Sequence, residues 1–515
     1  MMKMKNIFWG MLLVIPLMSL LSGCQKFLDR KPLTATLEDL NQGGLEGQIY
    51  GLYGAIRNGD IAGQGFGGIP WLAMHSFRSD DAIKGSSDAD GADWADIYDN
   101  FNYVKDHWST NTYYDHHYVL INLANIAIHT ADSLKLNDPA SMVNVAEARF
   151  FRAFAYFDLV RTYGQVRKVD FPVYNAAQVN SLPKSPETAI YELIDQDLTA
   201  AKAQLPLTWG SRFPGRLTTG AAKTLHAKTL LYRQQWLAAF NLAEEVIHSG
   251  QYALETNYSR IFQDAGENGP ESIFEIQADI GPAGANNYSI WHATAQGVRG
   301  TDADGWNLGW GWNAPTALLV NAYESNDPRK NATILFSGQS DDPAYGGYGR
   351  TLPPYPGKLP RPYWNKKVYA DPAKQLSTGD RNGAGWMNQR VLRLGDVYLM
   401  AAEAANELST SPTDEYAKKA EEYVELIRAR ARAGNAAVLP KVTYLSKNQM
   451  RTAIQNERRF ELAMEGERFF DLVRWGLAPA VLGPSGYQPR NKYYPLPQPI
   501  IDQSGGALVQ NPDYP

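Results

Sequence analysis

Along most of the chain apolar residues recur every three or four positions, the spacing that lines one face of an α-helix. Tyr114, Ile121, Ala124, Ile128 and Ala131 fall on one such face. After a break at Asn137, Asp138 and Pro139, Val143, Ala146, Phe150, Phe154, Phe157 and Val160 fall on another. A helix is predicted over 37–57, closing near Asn58 and Gly59, and a further one over 185–203 with Pro186 in its first turn. Ala222, Leu225, Thr229 and Tyr232 line one helix of a pair, and Trp236, Phe240, Ala243 and Ile247 the other, which Gly250 ends. Late in the chain Leu394, Val397, Ala401, Ala405 and Leu408 precede a partner helix carrying Ala417, Ala420, Val424 and Ile427. The predicted scaffold is thus helical over about 37–58, 112–250 and 391–476.

Helix hairpins with small residues at the crossing resemble tetratricopeptide repeats. Their spacing here is irregular, so the fold class expected is mainly α, with degenerate tetratricopeptide-like hairpins interrupted by loop-rich insertions. Two insertions stand out, about 59–111 and 251–390. The first is polar and aromatic from Ile69 to Asn111; the second is Gly- and Asn-rich over 281–315 and Gly/Pro-rich over 337–389, with a short strand expected at 271–277. Loops of this length without regular structure are uncommon unless they serve a function or are disordered. Their Trp and Tyr content argues against disorder. Gly63 to Gly68 formally matches G-x-G-x-x-G, but helical sequence precedes it where a dinucleotide site needs a strand.

Composition is that of an ordinary globular protein, 44% hydrophobic and 20% charged over 515 residues. There is no basic tract, so nucleic acid is not an expected partner. Lys3 and Lys5 precede an apolar run from Ile7 to Leu21, the arrangement of a signal peptide over residues 1–23. Leu21-Ser-Gly-Cys24 resembles a bacterial lipobox, which implies cleavage before Cys24, the one cysteine, and lipidation of its thiol. Losing two lysines with the leader takes the formal charge from −5 to −7. Several acyl chains anchor a protein stably where one binds marginally. Residues 24–515 are read as the mature domain.

Candidate chemistry is sparse. No H-E-x-x-H, G-x-S-x-G or phosphate-binding loop occurs. His107, His116 and His117 are close in sequence, but adjacent histidines at the head of a helix point in different directions. Asp88, Asp90, Asp93 and Asp96, and in miniature Asp302 to Gly305, are dense in acceptor oxygens and leave calcium open. Neither has the twelve-residue calcium loop with its terminal Glu, and solvated loop acids are the preferred reading. No other cofactor is expected, and no catalytic residue is singled out.

The most specific stretch is Asn456 to Gly476, two helical pieces joined at Gly466. Arg458 and Glu461, Arg468 and Asp471, and Asp471 and Arg474 stand three apart, the spacing of helical ion pairs. It resembles the C-terminal signature of the SusD/RagB family of outer-membrane nutrient-binding lipoproteins. Arg393 to Glu403, Tyr494-Pro-Leu-Pro497 and Gln510 to Tyr514 are similar to further segments of that pattern, in order. The resemblance implies a non-enzymatic lipoprotein, anchored on the cell surface at the outer membrane. It further implies capture of oligosaccharides and delivery to a SusC-like TonB-dependent transporter. The alternatives are peptide capture on the same scaffold, as in RagB-like relatives, and a surface glycoside hydrolase. Sugar rings offer an apolar face and a hydroxyl rim, which aromatic planes and polar side chains complement. The residues expected to stack are Trp94, Trp310, Trp312, Trp306 and Trp71, together with Tyr288; Arg78, Asp81 and Asn100 are expected to pair hydroxyls.

Overall fold

The computed structural model describes residues 44–57, 68–280, 287–378 and 384–514. The leader, Cys24, the first part of the helix expected over 37–57 and most of the 63–68 glycine run lie outside the described residues.

Ten helices build the scaffold. They are α1 (Gly44–Arg57), α2 (Trp108–Ser133), α3 (Pro139–Tyr163), α4 (Glu187–Gln204), α5 (Thr219–Tyr232), α6 (Trp236–Ile247), α7 (Leu394–Leu408), α8 (Glu415–Arg432), α9 (Lys447–Glu461) and α10 (Arg468–Arg474). Their starts follow local chemistry. Asp138 accepts from the backbone N–H groups of Ala140 and Ser141 at the head of α3, with Pro139 in the first turn. Thr218, Asp414 and Ser446 cap α5, α8 and α9 in the same way. His107 caps α2, which therefore starts at Trp108 rather than near 112.

From α1 to α8 each helix packs against the next one in sequence, and α9 packs on both α7 and α8. α3 is enclosed by α1, α2 and α4, so Phe150, Phe151, Phe157 and Val160 are buried although they point in different directions around its axis. Removing each such side chain from water contributes about 1.5–3 kcal/mol. α6 packs directly on α7 although 146 residues separate them. The long insertion therefore leaves the helical stack and returns to the same place.

Its base is an antiparallel ladder of β2 (Ser272–Ile276) with β8 (Gln389–Arg393), the strand expected at 271–277. Three more two-stranded sheets order the loops. β1 (Ala82–Gly85) pairs with β5 (Trp312–Pro315), β3 (Asp279–Ile280) with β4 (Asn287–Tyr288), and β6 (Ile334–Phe336) with β7 (Tyr363–Asn365). β1 joins the first insertion to the second.

Insertion and scaffold meet on charge. Glu461, at the end of α9, is fully buried and accepts from Arg393 at 2.7 Å, Arg430 at 2.5 Å and Arg329 at 3.4 Å. Arg329 also meets Asp327 and Glu457, and Arg393 also meets Glu271 and Glu465. A second knot joins Arg458 to Asp396 at 2.7 Å and Asp471 at 3.0 Å, and Arg474 to Asp471 and Glu403. Of the three expected local pairs only Asp471 with Arg474 forms. Arg458 turns to Asp396 and Asp471, Glu461 to the arginines above, and Arg468 to Asp80, because each of these helices presents its charged face to another element. Gly466 bridges the pieces with φ +83°, and a Cβ there would strike the ring of Trp71 at 2.7 Å.

Burial would push Glu461 and Asp396 up. Arg430, Arg393 and Arg329 outweigh it at Glu461, and Lys228 and Arg458 at Asp396, so both carboxyls are held well below the usual range. Asp471 and Glu465 are likewise lowered by their arginines against burial. Unfolded carboxyls titrate near 4, above these folded values. The stability they contribute is thus complete above about pH 5 and is lost as pH falls through 4 towards the folded values. Thermal melts between pH 7 and 3 are expected to show their steepest loss of Tm below pH 4; a level Tm down to pH 3 would contradict this. At pH 7, Glu461→Gln is expected to cost about 3–5 kcal/mol by leaving buried guanidinium groups unpaired, read from denaturant midpoints.

Candidate functional site

The aromatic loops converge where β1 meets β5. Ala82 faces Pro315, Ile83 faces Ala314 and Gly85 faces Trp312, which sets the 86–100 loop beside the 310–315 stretch. Trp312 forms the floor. Half-buried Trp94 lies on it with ring centroids 5.1 Å apart, and Trp108, first residue of α2, stands 5.2 Å from Trp94 at an interplanar angle of 62°. Trp108 is 38% exposed. These two indoles therefore make an angled, two-walled surface rather than a flat one. His107 sits between helix and rings. Burial lowers its pKa and keeps the imidazole neutral, and Nδ1 accepts from the backbone N–H of Ser109 at 3.3 Å.

Buried Lys84 holds the loop beneath. Its Nζ donates to the backbone carbonyls of Ser87, Asp88 and Asp90 at 3.1, 3.3 and 2.7 Å and lies 3.6 Å from Asp96. Both carboxylate oxygens of Asp99 accept from the Lys84 backbone N–H at 3.0 Å. Arg361 pairs with Asp88, and Arg299 with Asp90 and Ser86. The acids read as a candidate calcium loop thus fold around an ammonium group already in place. Among the described residues no group of three or more His, Cys, Asp or Glu is arranged to hold a metal ion.

A second pair of rings is formed by Trp310, just before β5, and Trp291. Trp310, two residues before Trp312, stacks on Trp291 at 4.8 Å and 28°, both half-buried. Trp71 lies half-buried against the signature, stacked on His75 at 4.5 Å. Asn100 is exposed, its side-chain Oδ1 accepting from the Asn102 backbone N–H at 3.1 Å. Tyr288 is 42% exposed but belongs elsewhere, its ring 4.6 Å from the Arg57 guanidinium.

Four of the expected residues are inside the fold and are corrected here. Arg78 has no exposed surface; its Nε donates to the Met74 carbonyl and its guanidinium lies 4.0 Å from the Phe469 ring, a cation held by aromatic faces. Asp81 is buried against Arg459, at 2.6 Å, with Asp80 beside it on Arg459 and Arg468. Trp306, 3% exposed, donates to the Thr351 carbonyl and stacks on Tyr369. Trp312, 6% exposed, is floor rather than surface. Sequence reasoning missed Trp108 and Trp291 as partners of Trp94 and Trp310. The position of Trp108 at the opening of a helix was the available signal, since such a residue projects beyond the helix body.

Known proteins share the family and the fold of this chain. The family model described as "SusD family" matches residues 270–514, and one described as "Starch-binding associating with outer membrane" matches residues 62–231. SusD-like protein P2 of Formosa agariphila is 30% identical over 433 residues, covering 81% of this chain and 83% of its own. A solved laminarin binding SusD-like protein superposes with a TM-score of 0.74 at 26% identity, over 91% of this chain and 99% of its own. Surface glycan-binding protein A of Bacteroides thetaiotaomicron, solved with laminarihexaose, shares the fold with a TM-score of 0.73 at 22% identity, over 91% of this chain and 98% of its own.

The geometry makes Lys84 the organiser of the tryptophan surface. Lys84→Met leaves three backbone carbonyls without their donor, each worth about 1–3 kcal/mol when buried. Near-ultraviolet circular dichroism should lose the signal of the ordered Trp94 cluster while far-ultraviolet ellipticity stays. An unchanged near-ultraviolet spectrum would contradict the role given to Lys84.

Proposed function

This chain belongs to the SusD family of outer-membrane-associated glycan-binding proteins, and from that premise we propose that it captures an oligosaccharide on the Trp94–Trp108 surface. Delivery to a SusC-like TonB-dependent transporter follows in the same proposal, with the protein held at the cell surface by lipid on Cys24. The observation that carries the reading is an exposed indole braced by a second, half-buried indole on a buried third. A ring held from behind keeps its outer face open at little entropic cost, which is the condition for tight stacking on an apolar sugar face. Asn100 supplies an amide close by in sequence, on an exposed loop. The 62° angle between the two indoles suits a turning glycan chain better than a flat ribbon.

Binding without bond cleavage is the mechanism. Around these rings Asp90, Asp96 and Asp99 are committed to Arg299, the Lys84 ammonium and the Lys84 backbone N–H. A hydrolase needs two carboxyls facing each other across the sugar with one free to give up a proton. Asp90 and Asp96 lie against cations, and Asp99, its carboxyl pushed up to about 7 by burial, has both oxygens turned to the Lys84 backbone N–H. Membrane attachment through Cys24 agrees with the helices, since among the described residues none is long and apolar enough to cross a membrane.

Laminarin is the first probe because a similar structure binds it. Isothermal titration should show Trp108→Ala and Trp94→Ala each weakening binding by at least about tenfold, about 1.4 kcal/mol. Tm should be kept in Trp108→Ala, and no reducing sugar should be released. If laminarin is not bound, a glycan panel replaces it; binding of peptides alone, or glycan binding indifferent to both substitutions, would overturn the proposal. In cells, Cys24→Ser is expected to move the protein from the membrane pellet to the soluble fraction.

A further inference from the structure

A pocket of about 220 Å3 lies on the helical scaffold and shares no lining residue with the tryptophan surface. Tyr50 and Arg57 of α1, Arg212, Phe213 and Arg216 of the loop between α4 and α5, and Gln277 just beyond β2 surround it. Gly215 lets that loop close on the strand, with φ +77° and no room for a Cβ, which would meet the Gln277 side chain at 2.3 Å.

The three guanidinium groups are not equivalent. Arg216 is spent, since Glu147 accepts from it at 2.5 and 3.1 Å and Glu46 at 2.9 Å, and Trp209 covers its face at 4.0 Å. Glu275, also on the lining, is turned to Asn268, Asn388 and Arg390. Arg57 and Arg212 have no carboxylate partner among the described residues. The Nε of Arg57 is buried without an acceptor, and the guanidinium rests on Tyr288 at 4.6 Å. A buried donor without an acceptor is destabilising unless a ligand completes it. Two unneutralised cations in one pocket are not a general basic character, because the chain as a whole carries a formal charge of −5. Aromatic faces flank them: Tyr50 is exposed at the rim, and Phe213 lies 5.4 Å from the Arg212 guanidinium.

We propose that this pocket binds a single acidic sugar residue, its carboxylate or sulfate ester held by Arg57 and Arg212 and its ring against Tyr50 and Phe213. A guanidinium fork matches the paired oxygens of either oxyanion. The volume accommodates one sugar ring and the pocket opens to solvent beside Tyr50, so the site would recognise an acidic substituent on a longer glycan independently of the tryptophan surface.

The test is titration of the protein with methyl glucuronide, glucose 6-sulfate and methyl glucoside, read by saturation-transfer NMR and calorimetry. At least one acidic sugar should bind and the neutral one should not; which acidic sugar binds tells carboxylate from sulfate. Arg57→Gln and Arg212→Gln should each weaken that binding at least tenfold with Tm unchanged, since neither residue is in an ion pair among the described residues. Trp108→Ala should leave it intact, which keeps this result separate from the fate of the tryptophan surface. The proposal falls if neither acidic sugar binds, if the neutral sugar binds equally, or if the Arg57→Gln/Arg212→Gln double variant binds as before. Inorganic sulfate binding as tightly as glucose 6-sulfate would overturn the role given to the sugar ring.

Discussion

The carboxylate of Glu461 holds two halves of the molecule together. Arg393 reaches it from the end of β8, Arg430 from α8 and Arg329 from within the insertion, all away from water. A buried ion pair is weak support for stability when compared with apolar packing, but breaking one is costly because the remaining charge has nowhere to go. The network therefore acts chiefly on specificity: an insertion docked in any other register would strand several guanidinium groups in the core. That is the physical reason a stretch of more than a hundred loop residues returns to one defined place on the helical stack.

The tryptophan surface depends on a separate set of ion pairs made by the same signature. Asp80 and Asp81 pair with Arg459 and Arg468, on either side of Gly466, so the chain entering β1 is fixed to the signature. Trp71 packs on Gly466 itself. From there β1 carries the loop to β5, Lys84 gathers its carbonyls, and Trp94 comes to rest between Trp312 and Trp108. An exposed aromatic surface built on loops gains its rigidity from buried charge several residues away. Binding proteins need this, because each side chain or loop ordered only on ligand arrival subtracts from affinity.

Much of the fold was legible because helices advertise themselves by period. The faces read at Tyr114–Ala131, Val143–Val160 and Leu394–Leu408 are buried as expected apart from half-buried Val143 and Leu408, and the strand at 271–277 forms. The loops were legible only in kind. Composition marked them as ordered and aromatic, yet it could not tell Trp108, exposed at a helix start, from Trp306, buried with its indole N–H satisfied. Arg78 and Asp81 looked like ligands for hydroxyls because charged residues in an aromatic loop usually face water. Here they answer to Phe469 and Arg459, nearly four hundred positions away, and no local pattern carries that information. The i,i+3 spacings of the signature misled for a related reason: the charges belong to tertiary partners, and only Asp471 with Arg474 pairs locally.

Capture of a sugar chain by the angled indole pair is the central claim, and a crystal structure of the protein grown with laminarihexaose, or with whichever oligosaccharide a panel selects, examines it most directly. The account predicts an ordered sugar ring stacked on Trp108, a neighbouring ring turned towards Trp94, an intact glycosidic bond between them, and Asn100 within hydrogen-bond reach of a hydroxyl. Sugar ordered only away from these indoles, or a cleaved chain in the site, would contradict it.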